Sequence, residues 1–167
     1  YNCSHYNYDN ELISLTNLTK LKTNSNVECI SHLTKLQMLS FEGEECDNLI
    51  ILTNLTSLSI SSLLIITDVS QLTKLQKLSI FEHLCYRTDD TCCRANILLP
   101  LTNLTYLNIW DIPAIKISHL TNLTYLNITS TNIHNDKLLP LINLRTLIMC
   151  ECLTIHNINH LCNLRDL

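Results

Sequence analysis

One phrase is written into this chain again and again. Leu-Thr-Asn-Leu-Thr begins at Leu15, Leu52, Leu101 and Leu120, Leu-Thr-Lys-Leu begins at Leu33 and Leu72, and weaker copies begin at Leu141 and Leu161. Successive starts are separated by 18, 19, 20, 29, 19, 21 and 20 residues. Each start carries leucine at offsets 0, +3 and +6, which places 24 of the 34 leucines in a fixed phase. A period of about 20 residues is the signature of a repeat array. This constrains the chain more than any single motif does.

Offset +8 continues the apolar series with Phe41, Ile60, Ile80, Ile109, Ile128 and Met149; only the first unit departs, with Thr23. The unit is therefore L-T-N-L-x-x-L-x-I, and its closing L-x-I alternates as a short strand with one buried face. So short a strand has no stability alone. Stacked at each repeat it pairs with its neighbours into a parallel sheet, and stability accumulates rung by rung. Each leucine withdrawn from water contributes roughly 1.5–3 kcal/mol.

This phrasing resembles the leucine-rich repeat family, and L-T-N-L-T-x-L-x-I is most similar to its internalin-like short-repeat subclass. The resemblance runs from Leu15 to Leu167. It implies an α/β repeat fold: a right-handed solenoid with a parallel β-sheet on the concave face and short extended or 3₁₀ turns on the convex face. About ten residues of return path per unit leave little room for full helices. Ile30, Val69, Ile117 and Ile158, late in their units, are expected to fill the convex half of the core. The family motif also implies an Asn one turn past the strand. That phase, offset +11, reads Asn26, Glu44, Leu63, His83, Ile112, Thr131 and Cys152, so the expected ladder is degenerate, with Cys152 a family alternative.

The expected organisation is a lead or preceding-repeat tail over 1–14 and one array of about eight units over 15–167. An insertion near 83–97 accounts for the 29-residue unit. No terminal cap is evident, and the chain opens at Tyr1, as a fragment or processed product would.

Composition narrows the function classes. A single glycine, Gly43, removes glycine-loop phosphate sites, dinucleotide fingerprints and nucleophile elbows. The net charge of −4 argues against nucleic acid as a partner. Apolar runs such as Leu63 to Ile66 are four residues long, far short of a membrane span. Nine cysteines, an odd number in no small-domain disulfide pattern, favour a cytoplasmic setting, with a secreted or cell-surface one as the alternative.

Strand columns that alternate with the buried ones carry the candidate site. Offset +5 includes Lys77, Tyr106 and Tyr125; offset +7 includes Asn108 and Asn127; offset +9 includes Phe81 and Trp110. With strands about 4.8 Å apart, Tyr106 should adjoin Tyr125 and Phe81 should adjoin Trp110. That gathers the only Trp, one of two Phe and two of six Tyr. Exposed aromatic clusters are typical anchors of protein interfaces. Partner-binding residues are thus expected at Phe81, Tyr106, Asn108, Trp110, Tyr125 and Asn127, with another protein as the ligand and the chain itself a monomer. The bland alternative is that the rings shield strand edges.

No catalytic residue or cofactor is expected. His83, Cys85, Cys92 and Cys93 offer four soft zinc ligands, but H-x-C-x6-C-C is not a zinc signature, and an exposed loop is the preferred reading. His32, His119 and His160 share one phase just before the leading Leu, as repeat furniture does. Six glycosylation sequons start at Asn2, Asn17, Asn54, Asn103, Asn122 and Asn127; four are the repeat phrase itself. The leading expectation is a non-catalytic protein-protein interaction scaffold. The alternatives are a surface adhesin or receptor ectodomain, and a structural spacer in a larger protein.

Overall fold

The computed structural model describes residues 12–24, 30–42, 49–61, 68–81, 96–110, 112 and 115–167. Seven strands follow in chain order: β1 (Lys20–Thr23), β2 (Met38–Phe41), β3 (Ser57–Ile60), β4 (Lys77–Phe81), β5 (Tyr106–Trp110), β6 (Tyr125–Thr129) and β7 (Thr146–Ile148). They form one parallel sheet whose spatial order is the sequence order. The register joins equal offsets throughout, as Leu39↔Leu58, Leu58↔Leu78 and Leu78↔Leu107 show. The eighth unit adds a bridge from Thr146 to Asp166.

Each unit makes its return by the same two bonds. The leading Leu N–H donates to the carbonyl three residues back, and the +3 Leu N–H donates to the leading Leu carbonyl. In the unit that starts at Leu120 these are Leu120 to Ile117 at 2.9 Å and Leu123 to Leu120 at 3.1 Å. Two successive three-residue turns of this 3₁₀ kind need no positive φ, so Thr and Asn can occupy them without glycine. They also turn offsets −3, 0 and +3 inward together, and offset −3 is the late column expected in the convex half of the core. Leu49, Val69, Leu98, Ile117 and Leu138 all sit at −3 and are buried, as is Ile30; Ile158 at the same offset packs partly buried against the core.

The resulting core is a continuous apolar stack. Leu36, Leu55, Leu75, Leu104, Leu123 and Leu144 are fully enclosed, as are Leu39, Leu107, Leu126 and Leu147. Offset +8 closes it with Phe41, Ile60, Ile80, Ile109 and Ile128. Helical pieces among the described residues include a 3₁₀ turn at Leu49–Ile51 and a one-turn helix at Asn135–Leu138. The molecule is thus a leucine-rich repeat solenoid with a parallel sheet on the concave face and short turns opposite.

The long fourth unit does not disturb the sheet. Lys77 pairs with Tyr106 and Phe81 with Trp110 in unbroken register. Most of the expected insertion, with His83, Cys85, Cys92 and Cys93, lies outside the described residues, as do residues 1–11 and Asn26.

At offset +11 the structure differs from a regular asparagine ladder in an instructive way. Thr131 is buried and donates through Oγ1 to the Ile128 carbonyl at 2.9 Å. One unit later, the Cys152 thiol donates to the same carbonyl at 2.7 Å. A hydroxyl and a thiol therefore satisfy the bend that a carboxamide was expected to hold. The backbone just before each is left-handed, with φ of 55° at Ser130 and 59° at Glu151.

Candidate functional site

The outward strand residues form three parallel columns because the side-chain period of a strand is two. At the first, Lys77, Tyr106, Tyr125 and Thr146 are register partners in turn. The second runs Ser79, Asn108, Asn127 and Ile148. The third runs Phe81, Trp110 and Thr129. The buried Leu and Ile between them hold each outward residue in place. All six candidate residues thus share one face, on three consecutive strands.

Tyr106 and Tyr125 stack with ring centroids 4.2 Å apart and planes 9° from parallel. Burial pushes the Tyr125 hydroxyl above the ordinary phenol range, and hydrogen bonding to Tyr106 raises it further. Two columns away, Phe81 and Trp110 keep 37% and 42% of their surface exposed, although both are large apolar side chains on neighbouring strands. Between these pairs lie Asn108 and Asn127. The Asn127 carboxamide oxygen accepts from the Thr129 N–H at 3.1 Å and the Thr129 hydroxyl at 2.7 Å, which leaves its NH₂ as the remaining polar group. The arrangement offers rings for apolar contact and amides for hydrogen bonds.

Charge is distributed unevenly along the same face. Lys20 and Lys22 lie on β1 and Lys77 on β4, while β5, β6 and β7 carry no charged outward residue. The aromatic residues of β5 and β6 therefore stand among neutral neighbours on their own strands.

The three phase-sharing histidines are hydrogen-bonded to the backbone. Nε2 of His32, His119 and His160 meets the carbonyl of Leu12, Leu98 and Leu138, each at offset −3 of the preceding unit, at 2.9 to 3.1 Å. A carbonyl only accepts, so Nε2 carries the hydrogen in each. They staple one rung to the next, and their common phase was the visible signal of that. Among the described residues no three His, Cys, Asp or Glu side chains gather as a metal site would require. Nor is any helix among them long and apolar enough to cross a membrane.

The phrase's own asparagine joins its unit to the one before it. At offset +2, Nδ2 of Asn54, Asn103, Asn122, Asn143 and Asn163 donates to the +1 carbonyl of the preceding unit, at 2.8 to 3.0 Å. Read only as sequons, Asn54, Asn103 and Asn122 looked incidental. Their recurrence at one offset could have marked them as a ladder.

At the level of sequence, no family description and no curated protein matches the chain. In fold it is similar to solved structures. One internalin from Listeria monocytogenes superposes with a TM-score of 0.67 at 21% identity, covering 91% of this chain and 48% of its own. Internalin C2 from the same organism superposes with a TM-score of 0.63 at 23% identity, covering 90% of this chain and 70% of its own. This chain thus spans about half the length of the first of them. At such identities the likeness is one of fold, and that fold is the internalin-like leucine-rich repeat.

Proposed function

From this internalin-like fold, we propose that the chain is a non-catalytic protein-interaction scaffold that binds a partner protein through its concave face. Solenoids of this kind present an extended concave surface suited to that task. The observation that supports the reading is the aromatic patch. A stacked Tyr106–Tyr125 pair stands beside exposed Phe81 and Trp110, on a face where smaller polar residues would serve the sheet equally well. These four rings are the anchors, with Asn108 and Asn127 as polar contacts. Interfaces draw most of their binding energy from such residues.

The test is affinity capture with the wild-type chain and a Tyr106→Ala/Trp110→Ala variant, compared by quantitative mass spectrometry. A protein retained by the first and lost by the second supports the reading, provided the variant keeps the wild-type circular dichroism. Equal retention of every captured protein overturns it.

We further propose a monomer in a reducing, cytoplasmic setting. Cys150, Cys152 and Cys162 are all free thiols, and free thiols persist where glutathione keeps them reduced. Thiol counting on native-source protein separates this from a secreted or surface role, which would leave many of the nine cysteines blocked.

A further inference from the structure

A second feature lies off the sheet face, on the flank where each turn enters its strand. The last three units enclose a polar groove there of about 570 Å³, lined by Asn122, Thr124, Asn143, Arg145, Asn163 and Arg165, with Cys162 and Leu164 at its side. We propose that this groove binds a dianionic phosphate group, either free or as the monoester of a small hydroxylated molecule.

At offset +4 four units carry Thr, and in three of them the hydroxyl is used between rungs: Thr56 donates to the Gln37 carbonyl, Thr105 to Gln76 and Thr124 to Thr105, at 3.1 to 3.3 Å. The next two units place Arg145 and Arg165 there. Their backbones are joined directly, the Arg165 N–H donating to the Arg145 carbonyl at 2.7 Å. Adjacent rungs are about 4.8 Å apart, so two guanidinium groups leave the scaffold side by side and line one groove. Among the described residues the ion pair is Lys137 with Asp136, away from this flank, and no acid lines the groove. Asp166, next in the chain, instead takes the Thr146 hydroxyl on the sheet face at 3.1 Å.

Two neighbouring guanidiniums match one group best. A carboxylate is satisfied by a single bidentate arginine, whereas a phosphate monoester carries a charge of about −1.5 to −2 at pH 7 and three acceptor oxygens. The neutral lining suits what the phosphate is attached to. Asn122, Asn143 and Asn163 each commit one N–H to the scaffold, which leaves a carboxamide oxygen and a second N–H per residue for ligand hydroxyls. No ring lines the groove, so stacking of a base is not provided for. A net charge of −4 does not oppose this, because charges more than about 8–10 Å away are screened at physiological salt. Upstream, offset +2 holds two lysines, Lys35 and Lys74, and each ammonium is already tied to the asparagine of the preceding unit, Asn17 Oδ1 at 2.5 Å and Asn54 Oδ1 at 2.7 Å.

The test is titration calorimetry on the full chain with glucose 6-phosphate, inorganic phosphate and glucose. At least one phosphate probe is expected to bind and glucose is not. Arg145→Gln and Arg165→Gln should each weaken binding at least tenfold, and lowering the pH below about 6 should weaken it as the phosphate becomes a monoanion. Tighter binding of glucose 6-phosphate than of inorganic phosphate identifies the monoester as the ligand; the reverse identifies the free anion. Tyr106→Ala/Trp110→Ala should bind phosphate as wild type does, which keeps this site separate from the protein-binding face. Absence of binding by both phosphate probes at millimolar concentration, or binding that survives both arginine substitutions, overturns the proposal.

Discussion

Tyr106 and Tyr125 sit one strand apart with their rings nearly parallel and 4.2 Å between centroids. That distance lies close to the spacing of paired strands, so the sheet itself sets up the stack. The two hydroxyls are brought together as a result, and the Tyr125 hydroxyl is raised by burial and by its bond to Tyr106. Raising the pKa of a tyrosine favours its neutral form in the folded state. The stabilisation is therefore complete below the ordinary phenol pKa of about 10 and is lost as pH rises through the folded value. Resonance-resolved titration of the ring Cζ carbons should show Tyr125 ionising later than a free tyrosine. Tyr106→Phe should bring it back toward the ordinary value; an unchanged midpoint would show that the pairing contributes nothing.

The asparagine ladder makes a prediction about charge. Asn122 Nδ2 donates to the Thr102 carbonyl at 3.0 Å. Asn122→Ala removes one exposed hydrogen bond and should cost about 0.5–1.5 kcal/mol. Asn122→Asp places an acceptor against an acceptor and should cost more, despite its closer shape. Urea denaturation of both variants checks the order.

The left-handed bend after each late strand predicts a gain. Glu151 holds φ at 59°, a conformation that costs an L-residue about 1–2 kcal/mol, while glycine gives back roughly 0.5–1 kcal/mol in chain entropy. Glu151→Gly should therefore stabilise the fold by about 0.5–1 kcal/mol. It forfeits only the exposed Ser130–Glu151 hydrogen bond at 2.9 Å. The chain's one glycine, Gly43, occupies the same offset of its own unit. A lower denaturation midpoint in the variant would show that the bend is held by its side chains.

The core is a stack with less well covered ends, and the same substitution should report this. Leu107 is fully enclosed between rungs, and Leu107→Ala should cost about 3–5 kcal/mol. Leu164 packs only partly buried against the core, and Leu164→Ala should cost about 1–2 kcal/mol. Equal losses would argue against rung-by-rung stability.

Much of this molecule could be read before any coordinate. The leucine phases placed the strands, the +8 column predicted which residues close the core, and counting offsets brought Tyr106 to Tyr125 and Phe81 to Trp110. What escaped was any bond between a side chain and the backbone of another unit. Asn54, Asn103 and Asn122 read as sequons, yet each holds a carbonyl of the preceding unit, 20 or 30 residues back. Thr131 looked like a break in a ladder and Cys152 like a family alternative, yet both serve the Ile128 carbonyl. Arg145 and Arg165 attracted no attention, because net charge averages over the chain what a groove concentrates.

By itself the sequence determined the period, the parallel sheet and the buried columns, since hydrophobic burial depends on spacing and residue type, both of which it displays. Tertiary structure alone decided which polar groups are occupied and which remain available. Hydrogen bonds are short and directional, so their partners depend on where the turns of neighbouring units bring each atom. The leucines could be counted in advance; the partners of Asn122, Thr131 and Arg165 had to be located.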